Sequence, residues 1–149
     1  MLNAYDWDTN TLEIKDKYKN HFILQLRGNK NIIKGESGTG KSFLNDFLYN
    51  AKHNQNINKR YNTDNLFILN IDNKSELDRI KGKLIIIDRA DLILTDDDVE
   101  TINQDHDNRY LLFAREPLGI EVSPNHQADL ITDKGITFLK YRFNVKGWC

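Results

Sequence analysis

The sequence has few of the residues that would cross-link or anchor a chain. It contains one cysteine, Cys149, so no disulfide can form within it, which fits a reducing compartment. No apolar run approaches the ~20 residues of a membrane span. The first ten residues include Asp6 and Asp8 and lack the apolar run of a secretory signal. We therefore expect a cytoplasmic location and no membrane partner.

An excess of charge of one sign is also lacking. The chain has 21 Lys and Arg against 22 Asp and Glu, a formal net charge of −1. Strong net charge is what draws a protein to nucleic acid or to an anionic membrane surface, so neither partner is indicated. With 149 residues and 39% hydrophobic content, the chain is predicted to form a single domain, residues 1–149.

One stretch contains a complete phosphate-binding pattern. Residues 35–42 read G-E-S-G-T-G-K-S and match G-x-x-x-x-G-K-[ST] at every fixed position. The glycines allow backbone N–H groups to converge on an anion, Lys41 would reach the β- and γ-phosphates, and the Ser42 hydroxyl would bind Mg²⁺. A helix is predicted to follow and to direct its positive end at the same phosphates. The predicted nucleotide-binding residues are Gly35, Glu36, Ser37, Gly38, Thr39, Gly40, Lys41, Ser42 and Phe43.

A second motif follows further along the chain. Residues 83–88 form an apolar run that ends in Asp88, which predicts a buried strand with a carboxylate at its end. Asp88 would hold Mg²⁺ beside Ser42. The alternative is an ordinary core strand that happens to end in Asp. Three further carboxylates at 96–98 follow Thr95 and are explained as a capped helix start rather than a metal cluster.

Strand-like and helix-like segments alternate through the middle of the sequence. Strands are predicted at 11–18, 21–27, 31–34, 66–72, 83–88 and 109–115, and a closing hairpin turns at Gly135. Because helices separate the central strands, the predicted fold class is α/β. We expect a mainly parallel sheet flanked by helices, with an N-terminal antiparallel strand pair and a C-terminal β-hairpin.

With residues 35–42 and 84–88 in place, the chain resembles the P-loop NTPase superfamily, whose Walker A and Walker B motifs these are. It is most similar to the AAA-type and ABC-type ATPases, in which an extra strand separates the two motifs, and residues 66–72 would be that strand. The resemblance implies a P-loop nucleotide-binding fold with ATP and Mg²⁺ as cofactors.

The sequence departs from that resemblance at the catalytic positions. These ATPases usually have Glu directly after the Walker B Asp, whereas here the residue is Arg89. Asp72 or Asp91 would have to orient the attacking water instead. Arg115 would sense the γ-phosphate, or else form a surface ion pair. The resemblance thus gives Lys41, Asp88, Arg115 and Asp72 as the catalytic set, and no L-S-G-G-Q signature is present.

Three functions remain open on the sequence. The first is an ATP–Mg²⁺-binding protein with weak or partner-stimulated ATPase activity, since the expected Glu is missing. The second is a non-catalytic module that presents a nucleotide-dependent surface to a protein partner. The third is a phosphotransferase that acts on a small acceptor.

Overall fold

The computed structural model describes residues 2–15, 21–34, 61–116, 118–120 and 126–142. Within these ranges the chain forms short strands, one 3-10 helix (Lys74–Arg79) and two α-helices, α1 (Ala90–Ile93) and α2 (Asp96–Gln104). The strands are β1 (Leu2–Asn3), β2 (Tyr5–Asp6), β3 (Thr11–Lys15), β4 (His21–Gln25), β5 (Lys30–Lys34), β6 (Tyr61–Asn62), β7 (Leu66–Leu69), β8 (Leu84–Ile87), β9 (Arg109–Ala114), β10 (Gln127–Asp133) and β11 (Ile136–Tyr141).

Nine of these strands form one sheet in the order β2-β3-β4-β11-β10-β5-β9-β8-β7. The four pairs β10–β5, β5–β9, β9–β8 and β8–β7 are parallel. The pairs β2–β3, β3–β4 and β10–β11 are antiparallel, and β4 joins β11 in parallel. The sheet is therefore mixed.

The two ends of this sheet come back together. Strands β1 and β6, which precede the edge strands β2 and β7, pair in parallel. The Ala4 N–H donates to the Asn62 carbonyl at 3.0 Å, and the Asn65 side-chain amide donates to the Tyr5 carbonyl at 2.8 Å. These contacts nearly close the sheet into a barrel, which protects both of its edges from unwanted strand pairing.

The C-terminal hairpin lies inside the sheet, between β4 and β5. Tyr141 at the end of β11 fixes it there, because its hydroxyl is 3.0 Å from the Gln25 carbonyl and 2.7 Å from the Asn31 Oδ1. The buried Asn31 side chain also bonds both backbone polar groups of Arg27, each at 2.9 Å. One asparagine and one tyrosine thus join β11 to β4 and β5, across separations of 116 and 110 residues.

Alternate residues of the central strands enter two separate cores. In β8, Leu84 and Ile86 face the barrel interior, where strand side chains fill the space, whereas Ile85 and Ile87 face the helices. All four are fully buried, as a strand covered on both faces requires. The core on the helix side includes Leu77, Ala90, Ile93, Val99 and Ile102.

The predicted fold class is wrong. The chain is predominantly β with a mixed, barrel-like sheet, not a mainly parallel α/β sheet flanked by helices. The resemblance to the P-loop NTPase superfamily and to its AAA/ABC-like branch is overturned with it. The error has a physical cause, since the hairpin inserts between the N-terminal pair and β5, and all the strands then share one curved sheet. Most of the strands themselves lie where the apolar pattern predicts them.

The hairpin turn gives a first testable prediction. Asp133 pairs with Ile136, and the two residues between them have positive φ, 53° at Lys134 and 80° at Gly135. This is the geometry of a type I′ turn. No heavy atom lies within 4 Å of a Cβ added at Gly135, so Gly135→Ala should lose about 1 kcal/mol through backbone strain alone. Urea unfolding measures this loss.

The matched control is Lys134→Asn, which supplies a residue that tolerates positive φ at the neighbouring turn position. We expect this variant to be as stable as the wild type or slightly more stable. Equal stability of Gly135→Ala and the wild-type protein would contradict the turn assignment.

Candidate functional site

The carboxyl ends of β5, β9, β8 and β7 meet at one edge of the sheet, which we call the carboxyl edge. Lys34 at the end of β5 pairs with Ala114 at the end of β9. Ile87 at the end of β8 pairs with Leu112 on one side and with Leu69 on the other. The segments that leave these four strands therefore start at one edge, those after β8 and β7 two residues earlier in the register than those after β5 and β9. The carboxyl edge of a parallel sheet is where ligands commonly bind.

The glycine-rich segment follows β5 at this edge. Residues 35–43, including Lys41 and Ser42, lie outside the described residues. The structure describes the residue that precedes them, Lys34, which is half-buried. The predicted roles in phosphate and Mg²⁺ binding remain predictions.

Asp88 follows β8 directly and is half-buried. The next residue, Arg89, is exposed and left-handed, with φ 51° and ψ 46°. A non-glycine residue in this region is uncommon and marks a tight change of chain direction. Here the turn brings Ala90 into full burial and begins α1. Arg89 thus occupies a turn position at the carboxyl edge.

Asp91, the next polar residue of α1, contacts the end of β9. Its Oδ2 accepts a hydrogen bond from the backbone N–H of Glu116 at 3.2 Å. This contact joins the segment after β8 to the segment after β9. The sequence indicates Asp91 only as a replacement for the missing catalytic Glu, and nothing in its local pattern indicates a partner 25 residues away.

Arg115 lies immediately after β9 and is exposed. No carboxylate of the described residues forms an ion pair with its guanidinium. The alternative prediction, a surface ion pair, thus has no counterpart in the part of the chain that the structure describes.

Asp72 lies three residues beyond Leu69, the last paired residue of β7, and is exposed. Its N–H donates to the Asn70 Oδ1 at 2.9 Å within a tight turn. The strands β7 and β8 are neighbours, as a water-orienting role for Asp72 would require. However, Asp88 lies only one residue beyond its strand, so the two carboxylates leave the sheet at different heights.

Lys74 joins the 3-10 helix to α1 and α2 through its side-chain ammonium group. Its Nζ donates to the Ile93 carbonyl and to the Asp98 Oδ2, both at 3.0 Å. Thr95 caps α2 through a capping box with Asp98, which confirms the predicted cap. Burial raises the pKa of Asp98, but the Thr95 backbone N–H, Lys74 and the Thr95 hydroxyl outweigh burial and hold that pKa below its usual value.

A second polar cluster lies at the opposite edge, where β9 begins. The buried Asn108 donates to the Ile80 carbonyl at 2.8 Å and to the Asp105 Oδ2 at 2.7 Å, and its Oδ1 accepts from the Lys83 N–H at 3.1 Å. The Tyr110 hydroxyl donates to the same Asp105 oxygen at 2.6 Å. Burial raises the pKa of Tyr110, and the Asp105 carboxylate raises it further. Every polar atom of the Asn108 side chain is bonded, so the cluster is structural.

In residues 2–15, 21–34, 61–116, 118–120 and 126–142, no group of three or more His, Cys, Asp or Glu is arranged to hold a metal ion. None of the helices in these ranges is long and apolar enough to cross a membrane. The chain matches no protein-family model, no curated protein and no solved structure.

Proposed function

We propose that this protein binds ATP with Mg²⁺ at the carboxyl edge and that its ATPase activity is weak or depends on a partner. The observation that supports the proposal most directly is the register of three neighbouring strands. Lys34, Ala114 and Ile87 end β5, β9 and β8 at one edge, and the residues that follow them in sequence are Gly35, Arg115 and Asp88. The phosphate-binding pattern and the cation thus leave the sheet beside each other, and the carboxylate leaves β8 at the same edge two residues earlier in the register.

The proposal does not need the overturned fold family. A phosphate site consists of converging backbone N–H groups, a cation and a metal-binding carboxylate, and such sites occur on unrelated folds. The residues offered for it are Lys41 for the phosphates, Ser42 and Asp88 for Mg²⁺, and Arg115 for the terminal phosphate. Bound Mg²⁺ would neutralise charge on the β- and γ-phosphate oxygens.

Weak hydrolysis follows from the carboxylates near Asp88. Arg89 occupies the position directly after Asp88 and cannot act as a base. The Asp91 Oδ2 accepts from the Glu116 N–H, and Asp72 lies beyond a turn at the end of β7. The same observations favour a second candidate, a module that binds ATP without hydrolysing it and so changes its affinity for a protein partner.

Titration calorimetry with ATP and Mg²⁺ tests the proposal. Lys41→Ala should weaken ATP binding at least about tenfold, because it removes a charge-assisted contact to phosphate. The control is Lys59→Ala, the same change outside the pattern, which should leave affinity within about twofold. No ATP binding by the wild-type protein, or equal losses in both variants, would refute the proposed site.

Product analysis separates the two candidates. Slow ADP release by the wild-type protein, absent from Lys41→Ala, indicates a weak ATPase. Binding without ADP even after long incubation indicates the non-catalytic module. Rapid turnover without any partner would contradict both.

A further inference from the structure

The end of β9 is fixed on both sides of Arg115. Before it, Ala114 is 2% exposed and pairs with Lys34 of β5. After it, the Glu116 N–H donates to the Asp91 carboxylate at 3.2 Å. The backbone of Arg115 therefore has little freedom, while its exposed side chain remains available.

Asp91 is itself held in a defined place. The preceding residue, Ala90, is fully buried in the core on the helix side. The Leu94 N–H donates to the Ala90 carbonyl at 3.1 Å, and the Ile93 N–H donates to the Arg89 carbonyl at 3.2 Å. The turn after β8 thus presents the Asp91 carboxylate to the end of β9 as a fixed acceptor.

We infer that Asp91 is a positioning residue, which anchors the Glu116 N–H and so directs Arg115 towards an anion bound beside Lys34. The inference rests on the proposed function, since the anion is taken to be the terminal phosphate of a nucleoside triphosphate. A nucleoside diphosphate lacks that group. Arg115 would then give the protein its preference for ATP over ADP, and Asp91 would maintain the preference without contacting the nucleotide.

Two substitutions at Asp91 distinguish the loss of its hydrogen-bond acceptor from the loss of its negative charge. Asp91→Asn removes the charge but retains a side-chain oxygen that can accept from the Glu116 N–H, whereas Asp91→Ala removes the acceptor. Arg115→Ala removes the contact to phosphate itself. The readouts are the ratio of affinities for a non-hydrolysable ATP analogue and ADP, and the exchange rate of the Glu116 amide hydrogen measured by NMR.

We expect the wild-type protein to prefer the ATP analogue about tenfold, as one charge-assisted contact allows. Arg115→Ala should abolish the preference and leave ADP affinity unchanged. Asp91→Ala should lower the preference to about threefold or less and speed exchange at Glu116 about tenfold, because the amide loses its acceptor. Asp91→Asn should resemble the wild type in both readouts.

An unchanged preference in Asp91→Ala, or equal losses in Asp91→Ala and Asp91→Asn, would overturn the inference and leave the proposed function standing. If the wild-type protein binds neither nucleotide, the proposed function fails, and the assignment of the ligand fails with it. Glu116 exchange that is the same in Asp91→Ala and the wild type would overturn the anchor itself, whatever the nucleotide results.

Discussion

Asn108→Asp is expected to destabilise the protein by about 4 kcal/mol or more at pH 7. The Asn108 amide donates to the Ile80 carbonyl and to the Asp105 carboxylate, at 2.8 and 2.7 Å, and its side chain is buried. An Asp at 108 cannot donate either bond when ionised, and it places a second negative charge against Asp105. Chemical denaturation at pH 7 measures the change in free energy of unfolding.

The loss in free energy of unfolding caused by Asn108→Asp should become smaller as the pH falls from 7 to about 5. Burial raises the pKa of Asp105, but bonds from Tyr110, Asn108 and two backbone N–H groups outweigh it and hold that pKa below its usual value. In the wild type this depressed pKa contributes stability that is present above the unfolded pKa of about 3.9, so it is constant from pH 7 to 5. In the variant, two adjacent carboxylates raise the folded pKa of the pair, so protonation at lower pH relieves their repulsion.

Asn62→Asp is the matched control for this substitution. The Asn62 side chain accepts from the Asp64 N–H at 2.9 Å, a bond that Asp accepts equally well. We expect a change of less than about 0.5 kcal/mol. If the loss in free energy of unfolding caused by Asn108→Asp stays constant between pH 7 and 5, the arrangement around Asp105 is contradicted.

Arg109→Ala is expected to cost about 3 kcal/mol by removing the contacts that join β9 to the N-terminal end of the sheet. The Arg109 Nη1 donates to the Tyr5 hydroxyl at 2.7 Å and to the Trp7 carbonyl at 2.5 Å. Its guanidinium lies 3.8 Å from the centre of the Trp7 ring. All three contacts join β9 to the N-terminal strands, so their loss weakens the closure. Thermal and urea unfolding measure the change.

Arg109→Lys should lose roughly half as much stability as Arg109→Ala. An ammonium group retains the charge but lacks the planar, two-donor geometry of guanidinium. Arg79→Ala is the control, since Arg79 is an exposed arginine at the end of the 3-10 helix. It should change stability by less than about 0.5 kcal/mol. Similar effects of Arg109→Ala and Arg79→Ala would mean that the attachment of β9 to the N-terminal strands does not depend on Arg109.

The positions of the strands could be predicted from local pattern. The apolar run of β8 indicates a strand buried on both faces, and Gly135 marks the hairpin turn by its need for positive φ. Thr95 and Asp98 lie three residues apart, so the capping box is visible in the sequence. Each of these signals involves residues that are close together in the chain.

The arrangement of the strands could not be predicted in this way. The order of the sheet depends on contacts such as Tyr141 with Asn31 and Arg109 with Tyr5, which span 110 and 104 residues. No local pattern encodes such pairs. The same limit applies to the candidate site, because the pattern indicates that Asp88 and Arg115 end strands but not that Asp91 anchors the end of β9.

The insertion of the C-terminal hairpin also determines when the sheet can be completed. Strands β2, β3 and β4 join the rest of the sheet through β11, which is the last strand of the described chain. During synthesis β4 therefore lacks its second neighbour until residues 136–141 have been made. Contacts of such long sequence separation slow folding, and the edge of β4 stays open until then. A ribosome-bound chain would present this open edge to chaperones, whereas the finished protein does not.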